Sequence, residues 1–290
     1  RHGPFDNVAN FAAHKHVRSE KDEFSIESMI ENNILKAKSF LDFLLLNKPV
    51  HFFCVSTDKA ANPVNVMGAS KKLMEEVIMA FSDDIKITTA RFANVAFSNG
   101  SLLAGYLKRL DKHQAISCPS DVKRFFVSPE ESGQICLLAC ILGKSSEIFY
   151  PKLKQSNLIA FKEITESFLS QLGLKIIHCK SEKESKLVSK NRNKTDPYPV
   201  YYFKSETSGE KLFEEFYSKS DFIDEESFFG LGIIKNAIKP SKLGLENLIN
   251  ELKKILNSKN YNKASIIEVM KKYLPSFLHI EKEKNLDHKM

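Results

Sequence analysis

From Ser25 onward, apolar residues recur at three- and four-residue intervals: Ile26, Met29, Ile30, Ile34, Ala37, Phe40, Leu41 and Leu44. That spacing predicts an amphipathic helix over Ser25–Leu46. Pro49 closes it, since proline has no N–H to continue the ladder. Val50–Val55 (VHFFCV) is then an unbroken apolar, aromatic and β-branched run, as expected of a strand buried on both faces of a parallel sheet. Met67–Phe81 is again helical, with Leu73, Val77, Ile78 and Phe81 on one side, and Ile85–Phe92 (IKITTARF) is strand-like. With the short apolar run Asn7–Ala13 (NVANFAA) in front, the order is strand, helix, strand, helix, strand. This order predicts a parallel α/β sheet.

Beyond Phe97 the periodicity loosens. Leu102–Leu110, Pro129–Leu142 and Leu158–Leu172 read as helices, the second with its proline in the first turn. Glu147–Tyr150 and Lys175–Cys179 read as short strands. Lys180–Pro199 is charged and contains Pro197 and Pro199, which predicts a surface loop. Phe213–Phe229 is aromatic and acidic; Phe213, Phe216, Tyr217, Phe222, Phe228 and Phe229 are expected to pack in a core or an interface. Leu243–Leu256 and Ala264–Leu274 predict two amphipathic tail helices.

Composition narrows the class. Hydrophobic residues at 42% and charged residues at 27% exclude a disordered chain. The best apolar run, Phe40–Leu46, holds Asp42 and falls far short of the about 20 residues that span a bilayer. No apolar stretch follows Arg1, His2 and Gly3, so neither a membrane span nor a secretory signal is expected. The net charge is 43 − 36 = +7. Its densest basic stretch, Lys180–Lys194, is interrupted by Glu182 and Glu184 and has no aromatic residue, which argues against a nucleic-acid groove. A mild positive field suits a phosphorylated small molecule. The cysteines Cys54, Cys118, Cys136, Cys140 and Cys179 are odd in number and form no C-x-x-C pair, so a reducing, cytoplasmic compartment is expected. Cys136 and Cys140 read as buried small hydrophobes. His14 and His16 have no third ligand nearby, and no metal site is expected. No G-x-G-x-x-G occurs, so the usual dinucleotide-binding loop cannot be built from these residues.

The chemistry gathers at the end of the Val50–Val55 strand. It runs directly into Ser56-Thr57-Asp58-Lys59-Ala60, and Met67-Gly68-Ala69-Ser70-Lys71 opens the next helix. In open α/β sheets, ligands bind at the carboxyl ends of the strands. A hydroxyl, a carboxylate and an amine therefore stand where a site is expected. Residues 56–71, STDKAANPVNVMGASK, resemble the S-T-D-K-A-x-x-P-x-N-x-(Y/M)-G-A-(S/T)-K signature of the extended short-chain dehydrogenase/reductases. The likeness is to the nucleotide-sugar 4,6-dehydratase branch, specifically the UDP-N-acetylglucosamine 4,6-dehydratase-like polysaccharide-biosynthesis proteins. Flanking segments agree: Phe11–Val17 (FAAHKHV), Arg91–Val95 (RFANV) and Asp121–Phe126 (DVKRFF) resemble family motifs. The likeness is good over about residues 5–150. The later stretch, including Ser205–Lys211, reads as a subfamily extension.

The resemblance implies a Rossmann-like parallel α/β sheet lacking its N-terminal half, with a smaller mixed α/β C-terminal substrate lobe and a helical tail. The expected division is 1–100 for the partial NADP-binding domain with the catalytic residues, 101–240 for the interleaved substrate lobe and 241–290 for the helical extension. The absent glycine-rich portion implies that the chain is most of a longer enzyme, with poor cofactor affinity as it stands. The implied cofactor is NADP, with NAD possible, and the implied partners are a nucleotide sugar and further copies of the chain in a homo-oligomer. The reaction implied is oxidation at carbon 4, loss of water across carbons 5 and 6, and return of the hydride to carbon 6, so the cofactor stays bound. Asp58 and Lys59 match the family's acid and base, which must lie side by side. A lysine base needs its pKa lowered by burial or by a cation such as Lys71. Met67 stands where most of the superfamily has tyrosine, and a thioether has no proton to exchange. The first proton transfer then falls to Asp58 or to a water held by Thr57. Ala12, Ala13, Asn33, Ser56 and Lys71 match cofactor positions; Lys15, Asn94 and Arg124 match positions that reach the diphosphate of the substrate. The alternatives are a GDP-linked substrate, a nucleotide-sugar 4-epimerase, which has no need of the Asp58–Lys59 pair, and a non-catalytic remnant or assembly module.

Overall fold

The computed structural model describes residues 3–17, 20, 22–205, 211, 214–258 and 261–279. Residues 206–210 of the Ser205–Lys211 stretch, and Phe213, lie outside the described residues. Two compact units form: one from the described residues of Arg1–Phe92, Glu130–Lys152 and Glu215–Glu281, the other from Ala93–Pro129 and Leu153–Glu214.

The first unit is built on a six-stranded sheet. Asn7–Asn10 (β1), His51–Thr57 (β2) and Lys86–Phe92 (β3) lie side by side and parallel, with His51 opposite both Asn7 and Lys86. β2 is the central one of the three, and its run from His51 to Cys54 is buried, as an apolar strand between two neighbours must be. β1 is shorter than the expected Asn7–Ala13. Ala12 N–H turns back to the Asn10 side-chain oxygen at 3.0 Å, and this local bond draws the chain out of the sheet. Glu147–Pro151 pairs parallel to β3, but Leu231–Lys235 and Phe222–Asp224 then add antiparallel strands. The expectation of a parallel sheet therefore holds for four strands and fails at one edge. Only the loop 225–230 joins the last two strands, too short for the crossover that parallel neighbours need. Asp224 holds that loop by accepting from the N–H groups of Glu226 and Ser227.

The helix expected at Ser25–Leu46 forms as Glu23–Ile30 (α1), capped by Asp22, then a π-helical turn over Glu31–Leu35, then Lys36–Leu44 (α2). Its buried stripe is Ile26, Met29, Ile30, Ile34, Ala37, Leu41 and Leu44; Phe40, expected in the stripe, is exposed and meets Phe52 only edge-on. Val66–Met79 (α3) starts one residue before expectation because Asn65 caps it, accepting from Gly68 N–H at 2.7 Å. Only Lys72 and Glu76 of α3 are not buried. The tail helices form at Lys242–Asn257 and Lys263–Tyr273 and belong to this unit. Glu246 meets Lys38 of α2 at 3.0 Å, and the Tyr261 hydroxyl bonds Glu27 of α1. The Pro129–Leu142 helix packs Ile135 and Ala139 into the sheet core, with Cys136 and Cys140 half-buried beside them. All five cysteines are free. Of the aromatic group, Phe216 stacks on Tyr150 and Phe228 packs on Phe149, whereas Phe222 and Phe229 are exposed.

The second unit centres on a three-stranded parallel sheet ordered Ile176–Cys179, Tyr198–Phe203, Ile116–Pro119. Leu103, Tyr106, Ile116, Cys118, Leu169, Tyr198 and Val200 form its core. Here the surface loop expected at Lys180–Pro199 is corrected. Glu182–Asn191 is a helix capped by Ser181, with acids in its first turn and Lys190 in its last, which suits the helix dipole. Ser185 is its one buried residue, so little apolar periodicity announced it. Tyr198–Phe203 is the middle strand despite Pro199.

Candidate active site

Thr57 ends β2 in extended conformation and caps a single 3-10 turn over Asp58–Ala60. Three donors converge on one oxygen of Asp58. The Thr57 hydroxyl donates to Oδ1 at 2.8 Å, the Lys59 N–H at 2.9 Å and the Lys59 Nζ at 3.0 Å. The Asp58 side chain is 1% exposed and that of Lys59 15%. The other oxygen, Oδ2, is buried and has no hydrogen-bond partner among the described residues. An unpartnered buried carboxylate oxygen is costly and is the kind of atom a ligand hydroxyl satisfies.

The first turn of α3 rests directly on this pair. A Cβ on Gly68 would lie 2.5 Å from the Lys59 carbonyl oxygen, so only glycine permits the approach. Met67 is buried, and Lys71 lies one helical turn beyond it. The Lys71 ammonium donates to the Val55 carbonyl at 2.6 Å and touches Met74 sulfur at 3.1 Å. Its hydrogen bonds go to the floor of β2 and not to Asp58 or Lys59. Burial lowers its pKa from the usual lysine value.

Beneath the pair lies a buried ionic cluster that the motif reading missed. Ser56 Oγ donates to Glu75 Oε1 at 2.6 Å. Arg91 grips Glu75 through Nε at 2.9 Å and Nη2 at 2.7 Å, and its Nη1 donates to the Phe216 carbonyl at 2.7 Å. Burial opposes ionisation of Glu75, but the Arg91 guanidinium outweighs it and holds the carboxyl down at about 2. The Ser56 hydroxyl, expected at the cofactor, is thus spent on orienting this ion pair. Glu75 and Arg91 are far apart in the chain, and charged residues inside apolar segments are the one sign that they meet.

Asn33 sits in the π-helical turn and is buried. Its Oδ1 accepts from His14 N–H at 2.9 Å; its Nδ2 donates to the His14 carbonyl at 3.0 Å and to Ser70 Oγ at 2.9 Å. It ties the segment after β1 to α3. Ala12 is exposed and Ala13 half-buried at the open end of β1, and Lys15 is exposed beside them. In the second unit, Asn94 Nδ2 donates to the Phe125 carbonyl at 3.2 Å. Arg124 is buried, its Nη1 bonded to the carbonyls of Lys123 at 2.8 Å and Lys211 at 2.9 Å. Among the described residues no cluster of His, Cys, Asp and Glu could hold a metal.

Parallel strands flanked by α1–α2 and α3, with polar chemistry gathered where β2 ends, define a Rossmann-like α/β protein. The family described as polysaccharide biosynthesis protein matches residues 2–235, and the chain belongs to it. An uncharacterized membrane protein of Methanocaldococcus jannaschii is 28% identical over 275 residues, 92% of this chain and 74% of its own. No described helix here is long and apolar enough to cross a membrane. The capsular polysaccharide biosynthesis protein CapD of Staphylococcus aureus is 28% identical over 85% of this chain, and the UDP-glucose 4-epimerase of Rickettsia felis is 32% identical over 68% of it. The chain spans 38% of the former and 60% of the latter. Among solved structures, Pen from Bacillus thuringiensis aligns with a TM-score of 0.65 at 21% identity, over 85% of this chain and 75% of its own. The dTDP-glucose 4,6-dehydratase DesIV of Streptomyces venezuelae, a double mutant with NAD and DAU bound, aligns with a TM-score of 0.56 at 16% identity, over 72% and 64%. These two likenesses are of fold.

Proposed function

We propose that the protein is a nucleotide-sugar 4,6-dehydratase of glycan biosynthesis, acting on UDP-N-acetylglucosamine with a bound nicotinamide cofactor, NADP in the first instance. The observation that carries the reading is the Asp58–Lys59 pair at a strand end, with Asp58 buried and its Oδ2 unpartnered among the described residues. The residues present fit the nicotinamide end of such a cofactor. The small Ala12 and Ala13 leave the end of β1 open, and the Lys71 amine stands at the end of β2. When bound, the cofactor supplies the hydride acceptor for carbon 4 and the hydride donor for carbon 6.

The chain's own residues move the protons. The 3.0 Å contact lets a proton pass from Lys59 Nζ to the Asp58 carboxyl, leaving an amine beside a carboxylic acid. The amine then removes the carbon 5 proton and later gives it back to carbon 5, and the acid, with its proton on Oδ2, protonates the departing carbon 6 hydroxyl. The Thr57 hydroxyl, donating to the same oxygen as Lys59, keeps the carboxyl oriented. Met67 contributes no proton, so with Asp58 already carrying the Lys59 proton the one released at carbon 4 goes to a water held by Thr57; where Asp58 takes it instead, that proton, and not one from Lys59, makes Asp58 the acid. Lys15 is given a phosphate contact. The roles proposed for Asn94 and Arg124 compete with their bonds to backbone carbonyls.

A second reading, nucleotide-sugar 4-epimerisation, is favoured by the 32% identity with the Rickettsia felis protein. The full-length protein with UDP-N-acetylglucosamine and nicotinamide cofactor separates the two by mass spectrometry. Loss of one water supports dehydration; unchanged mass with inverted carbon 4 selects epimerisation. Asp58→Asn and Lys59→Ala should each lower dehydration by about 10²–10⁴-fold while nucleotide binding persists. Lys59→Ala should also abolish exchange of the carbon 5 proton with solvent; normal exchange removes Lys59 from the base role.

A further inference from the structure

Glu20 has no place in the motif; its N–H bonds the Val17 carbonyl at 3.0 Å, and its side chain reaches far along the chain. In the fold its side chain is 6% exposed. Its Oε2 accepts the N–H of Val66, the first residue of α3, at 2.5 Å. Its Oε1 faces two groups from the tail: His279 Nε2 at 2.5 Å and Lys263 Nζ at 3.4 Å. Lys263 Nζ also lies 3.5 Å from the Glu20 carbonyl. A second tail contact falls on the residues just before α3, where Leu278 N–H donates to the Pro63 carbonyl at 3.3 Å. Phe277 beside it is buried.

These contacts end on the acid–base pair. The free N–H groups of the first turn of α3 are met by Asn65 at Gly68 and by Glu20 at Val66. A carboxylate there also suits the positive end of the helix dipole. That same turn presses Gly68 onto the Lys59 carbonyl with no space for a methyl group. Displacement of Val66 is therefore carried to the Lys59 backbone by direct contact. Lys263 and His279 flank Glu20 and hold its carboxylate on that N–H.

We propose that Glu20 is a positioning residue, and that the tail segment carrying Lys263 and His279 acts through it to set Lys59 Nζ against Asp58. The proposal rests on the reading of Asp58 and Lys59 as the acid and base. Glu20→Gln keeps the shape and removes the charge; His279→Gln leaves Glu20 in place and removes one of its clamps.

The test is trace acylation of lysines in the full-length protein, read peptide by peptide, together with steady-state kinetics. In both variants Lys59 labelling should change by about tenfold relative to wild type, with Lys48 unchanged, and kcat for water loss should fall by about 10–10²-fold at constant KM. Glu20→Asp, which restores the charge, should recover part of both. Unchanged Lys59 labelling in the folded variants overturns the proposal, as does an equal change at every lysine, which signifies general loosening. If Glu20→Gln fails to fold, His279→Gln decides by the same criterion. A wild-type protein that releases no water defeats the dehydratase reading, while the labelling still decides whether Glu20 sets Lys59.

Discussion

At Gly68 a single hydrogen stands where any other residue would put carbon 2.5 Å from the Lys59 carbonyl oxygen. Gly68→Ala must therefore move either α3 or the Asp58–Ala60 turn. It is expected to cost about 1–3 kcal/mol in urea unfolding and to slow turnover more than the stability change alone would. A variant as active as wild type would show that the turn tolerates displacement. The adjacency of Asp58 and Lys59 was legible in the sequence because chain neighbours at a strand end have little freedom to separate. That three donors crowd one oxygen of Asp58 and leave the other without a partner among the described residues was not legible. It depends on the 3-10 turn and on what packs over it. Lys71 makes the same point, for the motif placed it near the site but could not say that its ammonium binds the Val55 carbonyl.

Among the elements, the helix broken by a π turn is the informative case. Its apolar spacing predicted one uninterrupted helix, and the core stripe is indeed continuous. The extra residue in the π turn accompanies the inward placement of Asn33, whose amide bonds the His14 backbone and Ser70. Asn33→Leu leaves the Ser70 hydroxyl and both His14 backbone groups without this partner. The Ser70 hydroxyl keeps its bond to the Met67 carbonyl and His14 is exposed, so the expected loss is about 1–3 kcal/mol in all, seen as a lower denaturation midpoint. Faster amide exchange at His14 should accompany it, and unchanged exchange there would show that the clamp is dispensable. The helix at Glu182–Asn191 and the strand at Tyr198–Phe203 escaped the sequence reading for opposite reasons. The helix is too polar to display a buried stripe, and the strand's apolar run carries a proline.

The first unit as a whole is cross-tied by the Glu75–Arg91 pair, which joins α3 to β3 and, through the Phe216 carbonyl, to the segment leading into the antiparallel edge. Arg91→Met alone removes both guanidinium bonds from a buried carboxylate, leaving it Ser56 at 2.6 Å and Lys72 at 3.7 Å, and is expected to cost about 3–5 kcal/mol. Adding Glu75→Gln should recover most of that loss, so the two changes are strongly non-additive in thermal unfolding. The pair also sets an acid limit. Glu75 has its carboxyl at about 2 in the fold against 4.5 unfolded. Its contribution is complete above the unfolded value and is lost as pH falls from there towards the native one. Urea midpoints across that window should fall less steeply in the double variant than in wild type; equal slopes would remove Glu75 from the acid response.

By itself the order of residues determined the alternation of strands and helices through residue 92, most of the apolar core stripe of the first helix, the tail helices and the place of the Asp58–Lys59 pair at a strand end. Each depends on periodicity or on immediate chain neighbours. Only the tertiary structure decided the antiparallel edge, the Glu75–Arg91 tie beneath the site and the clamp on α3, where Glu20 meets His279 across 259 positions. The physical reason is that burial and hydrogen-bond partnership are properties of distant segments brought together. Local spacing has no way to encode which far residue satisfies a given carboxylate.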